Sequence, residues 1–292
     1  MKDFSGVFTA LITPFKDGEI DWKSLQKLVR FQLDGGINGF VVIGTTAESP
    51  NLTPQEKQKL FEYVKSESAG QVPLIVGTGS NSTSETIAAT QAAARWGADA
   101  ALVVVPYYNR PPQRGLFAHY QKVAECSDLP VILYNVPSRT VAKLELETIK
   151  ELSHLPKIIG IKEATGDIGF ARQIAHDCGK SFLLSSGDDG TYLDLVAAGG
   201  HGTIAVASHI LPKEFTTWCD RVRKGDQTAK QEFSRYAELI AGLYLESNPI
   251  PVKMALHLMN IIESPELRLP LVTLSEPYKA ELKNRMMAVG LL

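Results

Sequence analysis

The sequence predicts a (β/α)8 barrel, an α/β fold, followed by a small all-helical C-terminal domain. Three observations carry this reading. Eight short apolar runs recur along residues 1–224, with helix-patterned stretches between them. Most of these runs are near-continuous Val, Ile, Leu and Ala without in/out alternation, which marks parallel strands covered on both faces. After Gly225 the strands stop and only helical patterns follow. Eight successive strand–helix units close into a barrel of roughly 250 residues. An open doubly wound sheet would carry a glycine-rich phosphate loop at its first turn, and Phe15-Lys16-Asp17-Gly18 is not one. The boundaries are therefore set at 1–224 for the barrel and 225–292 for the helical domain.

Taken in order, Gly6–Thr13 is the first strand. Asp21 then precedes Leu25, Leu28, Val29 and Leu33 at helical spacing, and Gly35-Gly36 ends that helix. Gly39–Thr45 is the second strand. Thr53-Pro54-Gln55-Glu56 is a capping box with proline at the first helical position, so a helix starts there. Val72–Gly77 is the third strand. Ser82-Thr83-Ser84-Glu85 is a second capping box, opening an alanine-rich helix through Arg95. Ala100–Pro106, Pro130–Asn135, Ile158–Lys162, Phe182–Ser186 and Thr203–Ala207 are strands four to eight. Gly199-Gly200-His201-Gly202 precedes the last of these and reads as a tight turn on the face opposite the strand C-termini. In the C-terminal part, Gln227–Leu245, Val252–Ile261 and Glu276–Ala288 are helical, punctuated by Pro249, Pro251, Pro265 and Pro270.

Composition narrows the function classes. With 44% hydrophobic and 21% charged residues the chain is an ordinary soluble globular protein, long enough to bury a core without staples. A net charge of −2 gives no electrostatic reason to expect nucleic acid or an anionic membrane as partner. Cys126, Cys178 and Cys219 are odd in number and widely spaced, which fits reduced thiols in the cytoplasm rather than a disulfide framework. Met1-Lys2-Asp3-Phe4 opens no apolar signal segment, and no apolar run approaches ~20 residues. The six histidines, His119, His154, His176, His201, His209 and His257, fall in helices or loops and form neither H-x-H nor H-E-x-x-H, so no metal is expected.

In this fold the active site lies at the C-terminal ends of the strands. The sixth strand ends in Ile158-Ile159-Gly160-Ile161-Lys162-Glu163-Ala164, where a primary amine follows an apolar run. An apolar setting lowers a lysine's pKa and makes it able to attack a carbonyl and form a Schiff base; the competing reading is a strand-end lysine in water beside Glu163. The second strand ends in Gly44-Thr45-Thr46-Ala47-Glu48-Ser49, whose hydroxyls and turn amides can hold a carboxylate. The fourth ends in Pro106-Tyr107-Tyr108-Asn109-Arg110. The fifth ends in Tyr134-Asn135-Val136-Pro137-Ser138-Arg139-Thr140, pairing a phenol suited to proton exchange with a guanidinium suited to a second carboxylate. The seventh ends in Ser185-Ser186-Gly187-Asp188-Asp189-Gly190. Lysine, tyrosine and threonine converging on one rim from separate strands favour catalysis over a surface lysine. A non-catalytic small-molecule sensor would keep the carboxylate clamp without needing Lys162 or Tyr134.

Together with Gly160-Ile161-Lys162-Glu163-Ala164-Thr165-Gly166 and Asn248-Pro249-Ile250-Pro251-Val252-Lys253, these strand-end motifs resemble the dihydrodipicolinate synthase family along essentially the whole chain. The lysine motif alone marks the wider superfamily of pyruvate lyases, including N-acetylneuraminate lyase and 2-keto-3-deoxy sugar-acid aldolases, while Arg139 in its Ser-Arg-Thr context argues for the synthase. The resemblance implies a lyase of lysine biosynthesis by the diaminopimelate route, with pyruvate and L-aspartate 4-semialdehyde as substrates and no cofactor. It implies that Lys162 forms the imine, and that Tyr134 exchanges protons through Thr45 and through a Tyr108 donated by a neighbouring subunit. Thr45 and Thr46 hold the pyruvate carboxylate, Arg139 receives that of the semialdehyde, and the backbones of Gly187 and Ile204 line the pocket. The implied assembly is a homotetramer built as a dimer of dimers. Ser49, Asn81, Glu85 and Tyr107 match the lysine-feedback site of sensitive members. Pro54 and Lys57 stand where those members carry histidines, and a cationic Lys57 disfavours a cationic effector, so weak or absent lysine inhibition is expected. Two further departures replace glycines of the family pattern: Ala47, which tolerates positive φ poorly so that a slightly different turn is expected, and Val141, expected to stiffen the loop carrying Arg139.

Overall fold

The computed structural model of the chain describes residues 2–292. Eight parallel strands form a closed barrel: β1 (Gly6–Ala10), β2 (Gly39–Val42), β3 (Leu74–Gly77), β4 (Ala100–Val104), β5 (Val131–Asn135), β6 (Ile158–Glu163), β7 (Leu183–Ser186) and β8 (Gly202–Ala205). Each pairs with its neighbours in sequence, and β8 closes onto β1 with Gly6 opposite Gly202 and Phe8 opposite Ile204. The strands match the eight predicted runs; all but β6, which runs one residue further to Glu163, are shorter, because several of the flanking residues turn into the rim loops.

The helices α1 (Trp22–Asp34), α2 (Pro54–Ser68), α3 (Thr83–Trp96), α4 (Gln113–Glu125), α5 (Leu146–Ser153), α6 (Ile168–Cys178), α7 (Tyr192–Ala197) and α8 (Pro212–Arg223) alternate with the strands. Their starts follow the side chains read from sequence. Asp21 accepts the Ser24 N–H at 3.0 Å, and the Thr53/Glu56 box is complete in both directions. The second expected box is half formed: Ser82 accepts the Glu85 N–H, but the Glu85 carboxylate takes the Ser80 hydroxyl at 2.7 Å instead of turning back.

Two cores result. The inner one fills the barrel with Phe8, Ala10, Val41, Leu102, Ile132, Tyr134 and Ile204, and the outer one packs strands against helices. Gly39 has no Cβ because one would collide with the Phe8 ring that fills the barrel floor.

The C-terminal part comprises α9 (Thr228–Ser234), α10 (Ala237–Gly242), α11 (Ile250–Leu258) and α12 (Glu276–Ala288). The single helix expected over Gln227–Leu245 is broken at Arg235–Tyr236, where Tyr236 packs on Trp218 of α8 with ring centroids 5.1 Å apart. A two-residue ribbon, Phe15–Lys16 with Glu19–Ile20, was not anticipated; Asp17 and Gly18 both adopt positive φ, the geometry of a tight hairpin turn. This ribbon anchors the C-terminal segment. Arg268 donates to Gly18 O and Asn51 O and forks onto both oxygens of Glu56 at 3.0 and 2.6 Å, holding the Glu56 carboxyl near 2, chiefly through those bonds. Deeper, fully buried Lys253 of α11 donates to Glu48 at 2.5 Å and to Glu266 O at 2.8 Å, with its amine 4.3 Å from the Phe15 ring centroid. Among the described residues no helix is long and apolar enough to cross a membrane.

Candidate active site

Register places the two principal side chains. In the β5–β6 pair Tyr134 lies opposite Lys162, so both point into the barrel mouth, on the same face as Ile132 and Gly160. Lys162 is 6% exposed, and its amine sits 4.5 Å from the Tyr134 ring centroid. Burial pulls its pKa down to about 8; the Asp189 charge acts against this shift and Arg139 acts with it. Glu163 is not its partner. That carboxylate faces the other way, accepting from Asn135 Nδ2 and the Thr165 N–H, each at 2.7 Å. Gly187 makes room for the amine's stem, since a Cβ there would lie 2.7 Å from Lys162 Cε and from Ala164 Cβ.

Burial also raises the Tyr134 phenol, opposed by the Arg139 charge and the Thr45 hydroxyl. Thr45 and Thr46 open a 3₁₀ turn directly after β2; Thr45 is exposed to the cavity mouth and Thr46 is buried. Thr46 Oγ1 accepts from Asn248 Nδ2 at 2.9 Å, leaving its own proton free for a ligand. Arg139 sits on a helical turn, Pro137–Thr140, and its guanidinium donates to Asn248 O at 3.3 Å. Thr45, Thr46, Tyr134, Arg139, Lys162 and Gly187 share the walls of one cavity of about 210 Å³.

Other expected residues fall elsewhere. Tyr108 is 89% exposed with φ of 72° and does not reach this cavity within its own chain. Ile204 is buried in the inner core below the cavity and is not part of its lining. Ser49 and Tyr107 line an adjoining cavity of about 230 Å³ that shares Thr45, Tyr134 and Arg139 with the first. Asn81 and Glu85 lie outside it, at the start of α3, with Asn81 O accepting from Asn109. Ala47 does not need positive φ: the left-handed residue of that turn is Glu48, with φ of 55°. Val141 does adopt positive φ, 64°, a costly conformation for a β-branched residue.

Four contributors escaped the sequence reading. Asp189 stands in the seventh strand-end motif without a role read from it; it is buried and hydrogen-bonded across the cavity wall to Tyr244. Tyr244, Asn248 and Lys253 come from the C-terminal part, and only the position of Asn248 and Lys253 within a recognisable motif pointed to them. Geometry separates the two buried lysines. Lys253 is also lowered to about 8 by burial, but it is sealed against Glu48, whereas Lys162 opens onto the cavity.

Residues 3–289 match the model of the dihydrodipicolinate synthetase family. The 4-hydroxy-tetrahydrodipicolinate synthase of Bdellovibrio bacteriovorus is 52% identical over 100% of both chains. The solved structure of a chloride-inhibited dihydrodipicolinate synthase from Acinetobacter baumannii, complexed with pyruvate, superposes with a TM-score of 0.97 at 42% identity, covering 99% of this chain and 100% of that one. A dihydrodipicolinate synthase from Cyanidioschyzon merolae with lysine bound superposes with a TM-score of 0.94 at 39% identity, covering 99% of each chain. The chain belongs to the dihydrodipicolinate synthetase family.

Proposed function

We propose that the protein is a 4-hydroxy-tetrahydrodipicolinate synthase, condensing pyruvate with L-aspartate 4-semialdehyde through a Schiff base on Lys162. The observation that carries this reading is a buried primary amine opposite a buried phenol in a cavity also lined by Thr45, Thr46 and Arg139. A pKa of about 8 leaves roughly one lysine in ten neutral at pH 7, about 300-fold more than an unperturbed lysine. The Lys162 lone pair attacks pyruvate C2, and the carbonyl oxygen leaves as water with a proton relayed by Tyr134. Loss of a C3 proton gives the enamine, whose carbon attacks the aldehyde. The semialdehyde's amine then displaces Lys162, closing the heterocycle and returning the free lysine.

Thr45 and Thr46 hold the pyruvate carboxylate, and Arg139 at the mouth takes the carboxylate of the second substrate. Tyr108 reaches a neighbouring subunit's site in a homotetramer; its 89% exposure on a rim loop supports that role. Gly187 contributes space rather than a contact. The setting is cytoplasmic. Incubation with pyruvate, borohydride reduction and peptide mapping should place one reduced pyruvate on Lys162. An adduct elsewhere, or none, refutes the mechanism. Adding the semialdehyde and following heterocycle formation, against a panel of sugar-derived aldehydes, tests the second substrate.

A further inference from the structure

Asp189 is 1% exposed at the rim of β7, yet all four hydrogen bonds it accepts come from neutral donors: Val206 N–H to each oxygen at 3.1 Å, Ala207 N–H at 2.7 Å and the Tyr244 hydroxyl at 2.9 Å. A buried carboxylate is costly without a cation. The two amides explain how it caps the turn after β8. They do not explain why a phenol from the loop after α10 reaches across to the same carboxylate. Tyr244 and Val206 both line the cavity that holds Lys162. The hydroxyl end of Tyr244 is enclosed there, while the residue as a whole is 44% exposed along its outer edge.

We propose that Asp189 is the counter-charge of the Lys162 nitrogen, and that Tyr244 is the positioning residue through which the C-terminal domain holds it. The proposal rests on Lys162 being the imine-forming amine. Attack of the neutral amine on a ketone forms the C–N bond, takes up one proton and releases water, leaving a cationic iminium where the amine was neutral. An anion fixed behind the cavity wall, where Val206 and Tyr244 both bond to it, favours the iminium over the free amine and ketone. It also disfavours the neutral enamine, so its distance must be held rather than left to a mobile side chain.

The other groups facing the pair are accounted for. Tyr134 from β5 lies under the amine, and Arg139 opposes the ammonium. Glu163 is turned away onto Asn135 and Thr165. Asp188 spends its carboxylate on Thr191, through the N–H at 3.0 Å and the hydroxyl at 2.7 Å. Tyr192 of α7 senses the Asp189 charge but gives its own proton to Phe215 O. Burial raises Asp189 to about 6, with the Ala207 amide and then the Tyr244 hydroxyl pulling it back, so above that pH it is the anion the iminium requires.

The test is pyruvate trapping by borohydride on the full-length enzyme, with half-saturation and rate measured from pH 6 to 9.5. Asp189→Asn keeps an acceptor for the two amides and removes the charge. It should move the acid limb of trapping down by about one unit and raise the pyruvate half-saturation about 10-fold at pH 8.5. Tyr244→Phe keeps the cavity wall and removes one donor, so Asp189 holds its proton to higher pH. Half-saturation should rise about 3-fold at pH 6 and be unchanged at pH 9, where the carboxylate is ionised in either case. The double variant should match Asp189→Asn alone. A pH-independent loss in Tyr244→Phe, or additive effects in the double variant, overturns the proposal, and the Tyr244→Phe profile decides alone if Asp189→Asn does not fold. Absence of the wild-type adduct overturns the Lys162 reading and this one together; an unshifted limb in a protein that is trapped at Lys162 overturns only this one.

Discussion

Replacing Lys162 by methionine should abolish imine formation and make the protein more stable at neutral pH. An amine whose pKa falls from 10.5 to about 8 on folding is disfavoured in its charged form by about 3 kcal/mol. Methionine fills similar volume without that cost. It forfeits the ammonium's contact with the Tyr134 ring, a loss of about 1 kcal/mol; the Asp189 attraction is already contained in the lysine's net depression. The net gain is about 2 kcal/mol, or roughly 4–8 °C in melting temperature. The pH dependence is the sharper signature. Below pH 8 both folded and unfolded wild-type chains carry the proton, so the cost is present in full. Between pH 8 and 10.5 only the unfolded chain does, and wild-type stability climbs relative to the variant. Paired melts at fixed protein concentration from pH 7 to 10 should therefore show the advantage of Lys162→Met shrinking and then reversing. A variant that melts below wild type at pH 7, or a difference that stays flat with pH, would refute the idea that burial depresses this amine.

Other substitutions probe the surroundings. Gly187→Ala puts a Cβ 2.7 Å from both Lys162 Cε and Ala164 Cβ; turnover should fall at least about 10-fold and about 1–3 kcal/mol of stability should be lost, because Ala164 cannot move aside as the lysine stem can. Asn248→Ala frees the Thr46 hydroxyl and removes one support of the carboxylate clamp; KM for pyruvate should rise about 5-fold, with the smaller effect on kcat, in steady-state assays. Lys253→Met strands the Glu48 carboxylate without its cation; unfolding in urea should show a loss of about 3–5 kcal/mol. L-Lysine should leave the rate unchanged at millimolar concentration, since the half-buried Lys57 of α2 is a cation that disfavours a cationic effector; inhibition below 1 mM would contradict this.

The barrel was legible because each strand is covered on both faces and therefore reads as an unbroken apolar run. Lys162 and Tyr134 were legible for the same reason: each interrupts such a run at its C-terminal end, where only a working or paired polar group belongs. The helix ends at Asp21 and Thr53 announce themselves by local hydrogen bonding. What escaped depends on chain segments far apart. The Tyr244–Asp189 bond spans 55 residues and the Asn248–Thr46 bond 202, and no local pattern marks either partner. The break at Arg235–Tyr236 is likewise set by packing on Trp218 rather than by the periodicity of the segment itself. Ala47 shows the opposite error. A family pattern with glycine at that position suggested left-handed backbone there, while the turn places that conformation one residue later, at Glu48, whose carboxylate holds Lys253 and the Arg268 N–H.

The Glu48–Lys253 pair also sets a clock. During synthesis the threonine turn at the rim leaves the ribosome 205 residues before the lysine that neutralises its neighbouring carboxylate. At about 5–20 residues per second that is a delay of about 10–40 s. Until then Glu48 has no buried cation to enter the core with, and Thr45 and Thr46 have no fixed turn to stand on. The strands can collapse in order, but the reactive lysine meets its completed carboxylate clamp only after the last helices have docked, so a nascent chain cannot hold a ketone in register before it can finish the reaction.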